Sequence, residues 1–154
     1  MAPFDDRDLS TAIRNADAPA WSVRAAAGRQ LAARTGIEEV ADVIHRLLLD
    51  TRDTAVTQET AEALLQRRDT AGLRCVLLAC SRAAEGDDDD CSTIDELAAA
   101  LDCDPEWMTT EGADRLVRQL HELAADADAG VRAEARRSLA RLRLPEDRAG
   151  HRTS

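Results

Sequence analysis

The sequence predicts an all-α protein built from helical hairpins stacked one on the next. Three observations carry that expectation. The stretch VRAAAGRQLAA at residues 23–33 returns as VRAEARRSLAR at residues 131–141. Apolar residues recur at helical spacing along most of the chain, and no segment reads as a strand. Aromatic side chains make up only 2% of the 154 residues, with no Tyr and one Phe, Phe4, against 44% hydrophobic residues. Leu, Val, Ile and Ala must therefore fill the interior, which suits closely approaching helices.

Aligned on Val23 and Val131, the two stretches share Arg24 and Arg132, Ala27 and Ala135, and Leu31 and Leu139. Positions i, i+4 and i+8 form one apolar stripe on a helix. A third copy, VTQETAEALLQRR, begins at Val56, with Thr60 and Leu64 on the stripe and Thr57 in place of the Arg. The offsets are 33 and 75 residues, the second about two periods of 37. That spacing predicts a degenerate unit near residues 90–105, where STIDELAAALD (92–102) reads as a helix without the signature. Such a period belongs to a short right-handed α-solenoid, in which one hairpin cannot bury its own apolar face and stacking buries it between neighbours.

The elements follow in order. Residues 8–16 read as a short leading helix, and the first signature helix comes next. GIEEVADVIHRLLLD then places Ile37, Val40, Ile44, Leu47 and Leu48 on one side. After the second signature helix, GLRCVLLACSRAAE is apolar enough to be central. Beyond the degenerate unit, GADRLVRQLHELAAD carries Leu116, Val117, Leu120 and Leu123. The last signature helix is expected to stop at Pro145, which cannot donate to a helical hydrogen bond. Gly36, Gly72, Gly86, Gly112 and Gly130 punctuate the chain near these junctions. The expectation is about eight helices and no strands. It comprises a leading segment (1–16), a repeat domain (17–143, with units near 17–50, 53–85, 92–126 and 128–143) and a polar, disordered tail (144–154).

The pattern resembles the HEAT repeat family. Asp17, Val23, Arg24, Ala27 and Leu31 carry the resemblance in the first copy, Asp128, Val131, Arg132, Ala135 and Leu139 in the last, and Asp53 before Val56 in the middle one. It covers residues 17–85 and 111–142 well and residues 86–110 poorly. It implies a structural role for Arg24 and Arg132, pairing with acidic residues between repeats. It also implies that the second helices of successive hairpins line a partner-binding face. On this sequence that face would hold Glu38, Glu39, Asp42, Arg46, Arg74, Arg82, Arg115 and Arg118. The alternative is that these are solvated helix faces. The mixed charge suits protein recognition.

The formal charge is −10, and every basic residue apart from the three His is Arg. Usage rich in Arg and Ala with no Lys points to a GC-rich genome, and an actinobacterial origin is expected. Residues 129–154 hold seven Arg against Glu134, Glu146 and Asp147, so the rest of the chain carries −14. An acidic body repels nucleic acid and anionic membranes and attracts basic partners. The first ten residues lack the basic start and apolar run of a signal peptide, and no apolar stretch approaches membrane-spanning length, so a cytoplasmic protein is expected. Cys75 and Cys80 diverge by about 140° around one helix, and Cys91 and Cys103 flank a helix roughly 15 Å long or more. Free thiols follow.

No catalytic or metal-binding motif appears, and no cofactor is expected. His45 and His121 lie on second helices of different hairpins, and His151 lies in the tail. The most unusual stretch is EGDDDDCS, whose Asp87, Asp88, Asp89 and Asp90 repel one another into a solvated loop. Counted from Asp87, Ser92 falls where a calcium-binding EF-hand loop needs Gly, so that reading fails. The loop is either a solvated insertion or an acidic finger for a basic partner. Trp107 and Met108 sit in a connector, either plugging the end of the core or anchoring a partner, and Trp21 poses the same choice. The expected function is a non-catalytic protein-interaction scaffold, in its sharper version an inhibitor or immunity-type protein for a basic partner. The alternative is a HEAT-like enzyme or enzyme helper, similar to pigment lyases or DNA-repair glycosylases. The polar tail and Arg-rich last helix would cap the stack and favour a monomer.

Overall fold

The computed structural model describes residues 6–85 and 91–151, with side chains described for 7–85 and 92–142. The helices are α1 (Asp6–Asn15), α2 (Trp21–Ala32), α3 (Ala41–Leu48), α4 (Thr54–Gln66), α5 (Thr70–Glu85), α6 (Cys91–Asp102), α7 (Thr110–Leu123) and α8 (Ala129–His151). Two 3-10 helices, Ile37–Val40 and Pro105–Met108, precede α3 and α7. The fold is all-α, and there is no strand among the described residues. The chain divides into two compact units, residues 1–104 and 105–154.

In the first unit α2 packs on α4 and α4 on α6, forming one row. α3 packs on α4 and α5, and α1 covers part of α2. The row is tight because of a small residue at its centre. A methyl group on Gly28 would lie 2.1 Å from Thr60 Oγ1, so α2 and α4 approach to a distance that only glycine allows. Further along, Arg67 at the end of α4 meets the carbonyls of Ala32 and Arg34 at the end of α2. Residue numbers rise together on both helices, so α2 and α4 run in the same direction. The starts of α4 and α5 are fixed by acidic caps. Asp53 accepts from the Ala55 amide at 2.9 Å to begin α4, and Asp69 accepts from the Gly72 amide at 2.8 Å to begin α5.

The expected stripes form most of this core. Val56, Thr60 and Leu64 are buried, as are Ile37, Val40, Ile44, Leu47 and Leu48. The segment holding the last five begins as a 3-10 helix and becomes α-helical at Ala41. Val23 departs from its expected place on the stripe. It is 36% exposed, while Arg24 beside it is 2% exposed. The buried arc of α2 runs through Arg24, Ala25, Ala27, Gly28, Leu31 and Ala32. One residue is a rotation of about 100°, so turning Arg24 inward leaves Val23 outside.

In the second unit the 3-10 helix Pro105–Met108 packs on α7, and α7 pairs with α8. Thr109 caps α7, accepting from the Gly112 amide at 3.0 Å and donating to the Glu106 carbonyl at 2.7 Å. Gly112 is required there, because a Cβ would fall 1.8 Å from the Glu106 carbonyl oxygen. Leu116, Leu120 and Leu123 of α7, and Val131, Ala135 and Leu139 of α8, are buried, whereas Val117 is half-buried. α8 does not end at Pro145 as expected but continues to His151. A proline removes one amide donor, and the flanking Leu, Arg, Glu and Ala residues have high helix propensity, so the chain passes through it.

Candidate functional site

The signature arginines are structural in both places where they occur. Arg24 Nε donates to Asp50 Oδ2 at 2.8 Å, and its Nη1 donates to the carbonyls of Ala18 and Pro19 at 2.9 Å each. Arg132 Nη1 donates to the carbonyls of Asp126 and Ala127 at 2.7 and 3.1 Å. In each copy the guanidinium therefore captures the carbonyls six and five residues upstream, closing the turn that leads into its own helix. Asp50 is buried beside Arg24. Burial pushes its carboxyl up, but the hydrogen bonds from Arg24 and from the amides of Asp53 and Arg52 outweigh this and hold it below the usual carboxylate range.

The candidate face lies on α3 and α5. α3 packs directly against α5. Six of the expected residues lie on or next to this pair: Asp42 and Arg46 on α3, Arg74 and Arg82 on α5, and Glu38 and Glu39 on the 3-10 helix before α3. Glu38, Glu39, Asp42, Arg46 and Arg82 are exposed, and Arg74 is half-buried. Part of this charge is satisfied locally. Glu39 pairs with Arg34 at 2.7 Å, Arg46 with Asp17 at 3.3 Å and Arg82 with Glu85 at 3.3 Å. Such exposed pairs contribute little to stability. Between the charges sits His45, whose pKa is lowered first by burial and then by Arg82, against an opposing pull from Asp42. The Cys75 thiol is pushed up by burial, which keeps it protonated and unreactive.

The remaining candidates fall elsewhere. Arg115, half-buried, reaches Glu106 at 3.7 Å, and Arg118 is exposed; both belong to α7 in the second unit. Trp107 is half-buried in the 3-10 turn, and Met108 next to it is 89% exposed. Trp21 is 48% exposed at the start of α2, so it does not act as a core residue. Asp87, Asp88, Asp89 and Asp90 lie outside the described residues. Cys75, Cys80 and Cys103 are not joined in disulfides. Among the described residues, no group of three or more His, Cys, Asp or Glu is placed to hold a metal ion, and no helix is long and apolar enough to cross a membrane.

Sequence reasoning passed over three residues that organise the first unit. Asp50 was hidden because it stands 26 residues from Arg24. Arg67 and Arg68 were hidden because two arginines at a helix end read as solvated charge. Their signal was the run Arg67-Arg68-Asp69 at a junction without glycine. Comparison of the chain with protein-family models, curated proteins and solved structures gave no match.

Proposed function

We propose that the chain is a non-catalytic scaffold, a HEAT-like right-handed α-solenoid that docks another protein on the outer surface of α3 and α5. The observation that supports the reading is that α3 packs against α5 while Asp42, Arg46 and Arg82 on these helices, with Glu38 and Glu39 just before α3, are exposed. Charge supports a partner with a basic surface. Residues 1–104 hold eleven Arg and twenty-one Asp and Glu, so the whole net charge of −10 lies in the first unit. The same field disfavours nucleic acid. Within this reading the protein is a cytoplasmic monomer of the inhibitor or immunity type, blocking a basic enzyme by charge complementarity.

The test is a pull-down from native-host lysate with the tagged protein beside two variants. One carries Glu38→Lys and Asp42→Lys, and the other carries Asp87, Asp88, Asp89 and Asp90 all changed to Asn. Each runs at low and high salt. A basic protein captured by the parent, and lost with salt and with the first variant, supports docking on α3 and α5. Loss with the second variant alone moves the contact to the acidic segment. Equal capture by all three, or none by the parent, sinks the reading.

A further inference from the structure

The turn between α4 and α5 is built from three charged residues, and each of them holds something different. Arg67 Nη1 donates to the Ala32 carbonyl at 2.7 Å and to the Arg34 carbonyl. These belong to the C-terminal end of α2, where carbonyls have no partner within their own helix. The opposite edge of the same guanidinium binds Asp69, with Nη2 to Oδ2 at 2.9 Å, and Asp69 in turn caps α5 through Gly72. Arg68 turns the other way. Its Nη1 lies 2.6 Å from Oδ2 of Asp104, a buried carboxylate two residues beyond the end of α6. Consecutive arginines thus reach the ends of the helices on either side of α4 in the row.

The backbone makes this arrangement informative. Arg68 adopts φ 62°, the left-handed region that usually requires glycine after a helix end. A non-glycine residue there carries a conformational cost, and it persists only where the surroundings over-determine it. The left-handed step places neighbouring side chains on opposite sides of the chain, which lets Arg67 face α2 while Arg68 faces α6. Glycine at residue 68 would satisfy the backbone but could not make the contact to Asp104.

We infer that the Arg67–Asp69 turn is a two-way clasp that couples the C-terminal ends of α2, α4 and α6, so that the three ends open together rather than one at a time. Neither guanidinium alone spans the row. The coupling passes through the backbone of the turn, because opening the Arg68 side frees the left-handed residue that orients Arg67.

Native-state amide hydrogen exchange on the full chain tests this. Arg68→Gly removes the side chain while keeping φ 62° accessible, and Asp104→Asn, which leaves the backbone of the turn unchanged, separates the lost contact from the added backbone freedom. Arg68→Gly is expected to speed exchange at Leu101, Asp102 and Cys103 at least tenfold, and to speed Ala33 and Arg34 at least threefold, although residue 68 does not belong to the α2 contact. Amides of Ile44 and Leu48 report global opening and should change less. Asp104→Asn should reproduce the pattern, and Arg68→Lys should restore part of it. Removing the exposed Arg29–Glu59 pair, which also links α2 and α4, should not. An effect confined to residues 101–103 would mean two independent contacts and overturn the clasp. Uniform acceleration of all amides, or none at all, would overturn it equally.

Discussion

Arg24 shows how a single residue decides the local structure. Its side chain is buried with Asp50, and a buried pair is costly to break because the survivor stays charged and desolvated. Arg24→Met should lower stability by about 3 kcal/mol, read as a drop in the urea midpoint with unchanged slope. The same pair sets an acid limit. The folded pKa of Asp50 lies below its unfolded value near about 3.9, so its contribution is complete above that value. It disappears as pH falls through the lower, folded pKa. The parent should therefore lose stability more steeply than Arg24→Met below about pH 4, and equal slopes would remove Asp50 from the account. Histidine 45 acts in the same direction at higher pH. Its folded pKa is depressed, so the unfolded chain takes up the proton first and stability falls as pH drops below about 6.5. His45→Gln should flatten the dependence of Tm on pH between about 6.5 and 5; an unchanged profile would show that the ring titrates alike in both states.

Among the elements, the contact between α2 and α4 is the most demanding. A methyl on Gly28 would meet the buried Thr60 side chain, and the helices would have to separate to admit it. Gly28→Ala should cost about 1–3 kcal/mol despite its better helix propensity. Pairing it with Thr60→Ser, which removes the methyl but keeps the oxygen nearest the new Cβ, should relieve little. Pairing it with Thr60→Gly should recover part of the loss. If Gly28→Ala instead stabilises, the row is looser than the contact implies. Helices and their order were legible in the sequence because the 3.6-residue stripe and the junction glycines are local signals. The rotation of α2 was not legible, because Val23 and Arg24 are neighbours and the choice between them rests on Asp50, 26 residues away. The end of α8 was misjudged because Pro145 is a local stop that its flanking residues override.

At the scale of the whole chain, the succession of helices was readable and the division of the chain was not. The signature residues near Val56 and Val131 look alike, yet they belong to different compact units. A shared motif reports a shared contact and says nothing of where a contact network ends. Charge follows that division. The first unit carries −10, and residues 105–154 hold nine Arg and nine Asp and Glu. Self-repulsion among surplus carboxylates opposes folding, and salt screens it, with a Debye length of about 10 Å at 0.1 M. Buried pairs such as Arg24 with Asp50 are screened far less. Raising sodium chloride from about 10 to 300 mM should therefore raise the helical melting temperature by a few degrees, measured by circular dichroism. The isolated segment 1–104, if it folds, should respond more strongly than the full chain. A fall in Tm with salt would mean that the exposed ion pairs, Arg34 with Glu39 and Arg46 with Asp17 among them, outweigh the net repulsion. In that case the charged face of α3 and α5 would be held mainly by its own contacts, and its availability to a partner would fall with it.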